Sequence, residues 1–292
     1  MTIFHTPSIF KFRFRIALLA LALVAAIARG ETSVLYDKPS QYGHIVVTQE
    51  AEGLRTLRFE RGGARQSVVK PDDPGHIELS YARAALIGLA LQEDPRRVLV
   101  VGLGGGTLPR FLHAYYPAAS IDAVDIDPDV VQVAKDYFGF REDARLRAHV
   151  ADGRRFIEQV RTPYDLIFLD AYGASSVPAH MTTEEFLRTV RRALSSTGVL
   201  VGNLWSGDHN NLYAAMARTY EQVFETVKIL PAGGNRIVLA LPRQDALEHE
   251  TLVRRARRVS ASKRFQFDLG VMVAEQSERE REAIRKARVL RD

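Results

Sequence analysis

The 292-residue chain contains no cysteine. That absence excludes a disulfide framework, a zinc ribbon, a thiolate-held iron–sulfur cluster and a cysteine nucleophile. It leaves the compartment open, because an exported protein can also lack cysteine. Other signatures are missing too. No GK[ST] follows a glycine-rich stretch, which excludes a nucleoside-triphosphate P-loop. There is no HExxH and no close metal spacing among the eight histidines, so no metal is expected. No G-x-S-x-G offers a hydrolase elbow.

Basic residues outnumber acidic ones by 40 to 35, but unevenly. Residues 1–30 carry four basic residues and no acid, residues 243–292 carry 13 and 9, and residues 31–242 carry 23 and 26. The surplus therefore sits at the two ends, and the middle is mildly acidic. That distribution argues against a nucleic-acid partner. The composition, 46% apolar and 26% charged, is that of a globular protein. The length suits one or two domains.

At the N-terminus Lys11, Arg13 and Arg15 precede an apolar run from Ile16 to Ala28, which closes on Ala26-Ile27-Ala28. This is the layout of a cleavable export signal. Thirteen helical residues span about 20 Å, less than a hydrocarbon core of about 30 Å. A signal peptide is therefore favoured over an uncleaved membrane anchor. A misassigned start codon, or a buried helix of a cytoplasmic protein, is the third reading. The expected location is exported, periplasmic, or anchored to the inner membrane through residues 1–30.

Residues 31–75 read as a small β-domain. His44–Thr48 and Arg55–Phe59 are β-rich, with glycine turns between runs. A helix is expected over Ile77–Leu91. From there the pattern alternates. Strands are expected at 97–101, 120–125, 148–152, 164–170 and 198–203. Helices are expected at 108–115, 128–137, 154–160, 183–194 and 212–224. A hairpin of 226–230 and 235–241 closes the series at a sheet edge. Strands alternating with helices give an α/β, doubly wound, Rossmann-like domain over 76–242. Residues 243–292 read as a solvated helical tail, with one helix over 245–259 and a second over 277–290. The second has acids first and bases last, which suits its dipole.

Ligands of such sheets bind beyond the carboxyl ends of the strands. Those ends carry Gly102-Leu103-Gly104-Gly105-Gly106, then Asp125, Asp152 and Asp170. A glycine turn admits close approach of a ligand, and an acid about 20 residues later suits ribose hydroxyls. The order and spacing together point to a nucleoside site. On this signal alone NAD stays possible, and Asp125 and Asp170 could also be simple helix caps.

The motifs go further. VLVVGLGGGTLPR (98–110), AVDIDPDVVQVAKDYF (123–138), VADGRRFI (150–157), YDLIFLDAYG (164–173), VPAHMTTEEFL (177–187) and GVLVGNLWS (198–206) resemble the spermidine/spermine synthase family of polyamine aminopropyltransferases. That family is a branch of the class I S-adenosylmethionine methyltransferase fold. The resemblance covers about 35–242. It implies that Gly102, Gly104 and Gly106 line the aminopropyl donor and that Asp125 holds its ribose. Asp152, Gly153 and Pro178 would lie by the adenine, with Gln41 and Gln66 as donor-binding glutamines. Asp170 would be the catalytic carboxylate, with Tyr81 beside the amine. The implied co-substrate is decarboxylated S-adenosylmethionine, or S-adenosylmethionine itself, and the implied partners are a small-molecule amine and a second copy in a homodimer.

Four positions depart from the family pattern. Gly105 stands for an acid of the loop, Gly173 for a second acid of the catalytic segment, Ala82 for a histidine and Asn203 for a glutamine. The expected reaction is attack of a neutral amine on a carbon already activated by a positive sulfur. A free alkylamine titrates near 10.4, as lysine does, so a carboxylate must take or orient its proton. Two rival readings stand beside aminopropyl transfer: a small-molecule methyltransferase, and an exported binding protein that kept the fold without turnover. Asp208-His209 beside Trp205 is a weaker candidate for the site's rim.

Overall fold

The computed structural model describes residues 32–171, 178–208 and 210–292. The expected export signal, Tyr172, Gly173 and His209 lie outside the described residues. No helix among the described residues is long and apolar enough to cross a membrane.

Two sheets form the scaffold. The first is antiparallel and ordered β1 (Ser33–Ser40), β2 (Gly43–Gln49), β3 (Arg55–Arg58), β4 (Ser67–Val69). The second contains β5 (Arg97–Val101), β6 (Ser120–Asp125), β7 (Leu146–Val150), β8 (Tyr164–Leu169), β9 (Leu194–Trp205), β10 (Thr226–Ala232) and β11 (Asn235–Leu241). Its order is β10-β11-β9-β8-β5-β6-β7. Strands β9 to β7 run parallel, and the β10–β11 hairpin joins β9 antiparallel at the edge.

The apolar run of β5 explains why it is central. Val98 and Val100 pack into one core layer, and Leu99 and Val101 into the other. A strand alternates its side chains, so a run without polar residues must be covered on both faces. Before β5 comes α1 (Ser80–Ala85). The later helices are α2 (Thr107–Tyr115), α3 (Pro128–Tyr137), α4 (Gly153–Glu158), α5 (Glu184–Ala193) and α6 (Tyr213–Val223). Phe111 of α2 lies in the first layer, and Phe186, Val190 and Met216 of α5 and α6 in the second. The small sheet docks on α3, where Ile45, Val47, Leu57 and Val69 meet Val130, Val133 and Phe138.

Three expectations need correction. The helix expected from Ile77 starts at Ser80 and tightens into a 3-10 turn over Leu86–Ala90. The turn presses on β9, where a Cβ on Gly88 would sit 2.5 Å from Val201. The third strand ends at Val150, because Asp152 is taken up as the cap of α4 and accepts the Arg155 N–H at 3.0 Å. The tail is a cover, not a solvated appendage. Leu252, Ala256 and Val259 of α7 (His249–Lys263) are buried in the first core layer, and Ile284 of α8 (Glu278–Lys286) in the second. Beyond α8 the chain lies against α5 and α6. The Glu184 N–H donates to Leu290 O at 2.8 Å, and the Leu290 N–H to the Thr219 hydroxyl at 3.0 Å.

Candidate active site

A cavity of about 950 Å³ opens at the carboxyl ends of β5, β6, β8 and β9, between the main sheet and the small one. The glycine turn after β5 forms its floor. Gly102 has φ +97°, and a Cβ there would lie 2.2 Å from the Asp170 carbonyl oxygen. Backbone bonds fix this crossing. The Gly102 N–H donates to Val124 O and the Asp170 N–H to Val101 O, both at 2.8 Å. The next two strand ends are thereby drawn to the loop.

Gly105 has a different reason. A Cβ there would meet Phe138 and Ser67, each at 3.0 Å, while the Gly105 N–H donates to the Ser67 hydroxyl at 2.9 Å. Small-sheet packing fills the space that an acidic side chain would need. Gly105→Asp is expected to lower stability by about 1–3 kcal/mol through overpacking. Thermal unfolding reads this, and an unchanged Tm would contradict it.

Asp125 lines the cavity and pins the loop. It accepts the Leu103 N–H at 2.9 Å and the Asp127 N–H at 3.0 Å. Burial pushes its pKa up, against the pull of those N–H donors and that of Gly104. Asp127 caps α3 through the Asp129 N–H at 2.9 Å and takes the Ser40 hydroxyl at 2.6 Å. Asp152 meets His180 Nε2 at 2.9 Å. Burial works to raise the Asp152 pKa, but the Arg155 N–H and His180 outweigh it and leave it lowered.

Asp170 sits at the end of β8, at the centre of the row of strand ends. Burial raises its pKa to about 7, while hydrogen bonds from Asn203 and Tyr81 act to lower it. Asn203 Nδ2 donates to Asp170 Oδ1 at 2.7 Å, and Asn235 Nδ2 donates to Asn203 Oδ1 at 2.8 Å. The Tyr81 hydroxyl shares its one proton between Asp170 and Gln66 O, the latter at 2.9 Å. The carboxylate is therefore oriented from β9, β11 and α1 at once.

Gln66, Tyr81, Gly102, Gly104, Asp125, Asp152, Gly153, Asp170 and Pro178 all line the cavity. Two expected residues do not. Gln41 is exposed in the β1–β2 turn, although Ser40, Tyr42 and Gly43 around it reach the wall. Gly106 turns away and is buried, with Phe140 2.9 Å from where its Cβ would be. Of the rim candidates, Trp205 lines the wall, Asp208 is exposed in the following turn, and His209 lies outside the described residues. Asn203 was legible only as a departure, and Asn235, Ser40, Asp127 and His180 were not singled out. A signal for Asn203 existed, since Val201, Asn203 and Trp205 share one face of β9 by strand alternation.

Charge is asymmetric along the wall. Asp125, Asp127 and Asp152 belong to the β6 and β7 half, and Asp170 to the centre. The far half offers Asn203, Trp205, Asn235 and Ala232 of β9 to β11, with Ser80 of α1. Among the described residues no group of three His, Asp or Glu could hold a metal ion.

The family model described as spermine/spermidine synthase domain matches residues 82–230. A polyamine aminopropyltransferase of Vibrio vulnificus is 36% identical over 245 residues, which is 80% of this chain and 81% of that protein. A probable spermidine synthase from Corynebacterium glutamicum has the same fold, with a TM-score of 0.71 at 20% identity, covering 90% of this chain and 96% of its own. Human methyltransferase-like protein 13, solved with SAH, has a TM-score of 0.59 at 30% identity, covering 64% of this chain and 93% of its own.

Proposed function

The chain belongs to the spermine/spermidine synthase family, and on that premise we propose that it transfers an aminopropyl group from decarboxylated S-adenosylmethionine to a small amine. The observation that carries this reading is Asp170, a half-buried carboxylate with a pKa of about 7, oriented by Asn203 and Tyr81 inside the cavity.

The acceptor arrives as an ammonium, since a primary alkylamine titrates near 10.4. Ionised Asp170 attracts it and takes one proton. The freed lone pair attacks the methylene beside sulfur, the new C–N bond forms as C–S breaks, and the sulfur leaves as neutral methylthioadenosine. A base with a pKa near the working pH is well matched to that task. The Gly102–Gly104 turn and Asp125 hold the ribose side, with Asp152, Gly153 and Pro178 around the base. Alignment does most of the remaining work, because the sulfonium is already an activated leaving group.

Release of methylthioadenosine from decarboxylated S-adenosylmethionine, dependent on an added amine, tests the proposal. Turnover of S-adenosylmethionine instead would favour the methyltransferase reading, to which the 30% identity with the human protein lends weight. Donor binding without any turnover would leave a binding protein.

The far half of the cavity would meet the acceptor's second end with amides and Trp205 and no carboxylate among the described lining. Ser80 lines that half and is exposed at the first turn of α1, where an acid suits the helix end. Ser80→Asp is expected to lower the KM for a 1,4-diamine about fivefold, as one partly exposed ion pair allows, and to leave the KM for a monoamine of equal length unchanged. Equal shifts for both amines would contradict it.

A further inference from the structure

The wall of the cavity beside Asp152 is tied from outside by the last residues of the chain. Pro178, His180 and Met181 line the cavity, and the turn they form leads directly into α5. Arg154 lies behind this turn on the first turn of α4, two residues after Asp152. Its Nη1 donates to His180 O at 3.0 Å and to Asp292 Oδ1 at 2.8 Å, and its Nη2 donates to Asp292 Oδ2 at 2.5 Å. The Thr183 hydroxyl donates to Asp292 Oδ1 at 2.7 Å, and the Asp292 N–H donates to Glu185 Oε2 at 3.0 Å. One carboxylate thus joins α4, the cavity turn and the start of α5.

The pair has the planar, two-bond geometry that makes an arginine–carboxylate contact directional. An average surface ion pair contributes little, but this one is bidentate and shared with a hydroxyl and a main-chain carbonyl. Arg154 and Thr183 hold the Asp292 carboxyl down at about 2, and Asp292 in turn raises Arg154. The pair therefore stays ionised across the ordinary pH range.

We propose that Asp292 and Arg154 are positioning residues for the donor end of the cavity. They fix the His180 carbonyl and the Pro178–Met181 turn against α4, so that His180 meets Asp152 at 2.9 Å and the wall keeps its shape around the base. This rests on the reading that the donor's base lies by Asp152. Neither residue lines the cavity, so neither touches donor or amine.

The test uses the full chain with Asp292→Ala, Arg154→Ala, the double variant and Asp292→Glu. Methylthioadenosine binding is followed by calorimetry, and KM is measured for donor and amine separately. Asp292→Ala is expected to weaken methylthioadenosine binding and raise the donor KM by about tenfold, less than the roughly hundredfold that a 1 Å misplacement can cost. The amine KM and kcat should move less than about twofold, and the double variant should be no worse than either single one. Asp292→Glu should recover part of the loss. Unchanged methylthioadenosine affinity in Asp292→Ala overturns the proposal. So does a fall in kcat with a rise in both KM values and a lower Tm, which marks general destabilisation. If the unaltered protein does not bind methylthioadenosine, the donor-site reading itself fails and takes the positioning role with it.

Discussion

Asp170→Asn is expected to lose turnover by at least about a thousandfold, within the range for removal of a general base, while still binding methylthioadenosine. It is also expected to be more stable than the unaltered protein at pH 8. Burial raises the folded-state pKa of Asp170 to about 7, above the value of 3.8 for a free aspartate. Between those values the folded protein holds a proton that the unfolded chain has released, so stability falls as pH rises from about 4 to about 7. Above pH 7 the folded protein carries the cost of a partly desolvated anion, since Asp170 is half-buried in the cavity wall, on the order of a few kcal/mol at most. Asparagine removes that cost and can still accept from Asn203. Urea unfolding at pH 5 and pH 8 measures it, and the gain at pH 5 should be less than about half of that at pH 8. The same pKa sets the rate. At low donor concentration, kcat/KM for the donor, which reports the free protein, should fall about tenfold per unit below pH 7 as Asp170 takes up its proton. A variant with full turnover, or one no more stable at pH 8, would remove the half-buried base from the mechanism.

Gly102→Ala should have the largest effect on stability. The residue needs φ +97°, and its missing Cβ would lie 2.2 Å from the Asp170 carbonyl oxygen and 2.6 Å from the carbonyl carbon. The obstacle is backbone, which cannot rotate away as a side-chain tip can. More than about 3 kcal/mol is expected from strain and clash together. Gly62 provides the comparison. It has φ +71° in a surface turn with nothing within 4 Å of its Cβ position, so Gly62→Ala isolates the backbone cost, about 1 kcal/mol. Urea midpoints of the two variants separate the terms. Equal losses would mean that the crossing at Asp170 yields without cost.

The parallel half of the sheet was legible because β5, β6 and β8 combine apolar runs with a glycine or an acid at the end. Such a pattern admits few alternatives in an α/β sheet. The edge hairpin was legible from Pro231 to Gly234, which break the helix–strand alternation. The boundaries were less so. Asp152 read as a strand end and is a helix cap, since one carboxylate type serves both and only the Arg155 N–H decides. The covering role of α7 was hidden because Leu252, Ala256 and Val259 are few among many arginines. A narrow apolar stripe on a basic helix resembles a solvated one until the surface it covers is known. In the site, Asp170 and Tyr81 followed from the family resemblance. The Asn235–Asn203–Asp170 chain did not, because it joins side chains 32 and 33 positions apart across strands whose register a sequence alone does not set.

The contacts of residues 290–292 also bear on the order in which the chain is tied together during synthesis. All seven strands of the main sheet are complete by Leu241, and every described residue lining the cavity has been made by Asn235. The ties that reach α5 and the Pro178–Met181 turn come from residues 290–292. A nascent chain can therefore fold its sheet on the ribosome with the turn still untied, since domains begin to form before synthesis ends. The turn can be tied only once residues 290–292 are made, some fifty residues after the sheet is complete.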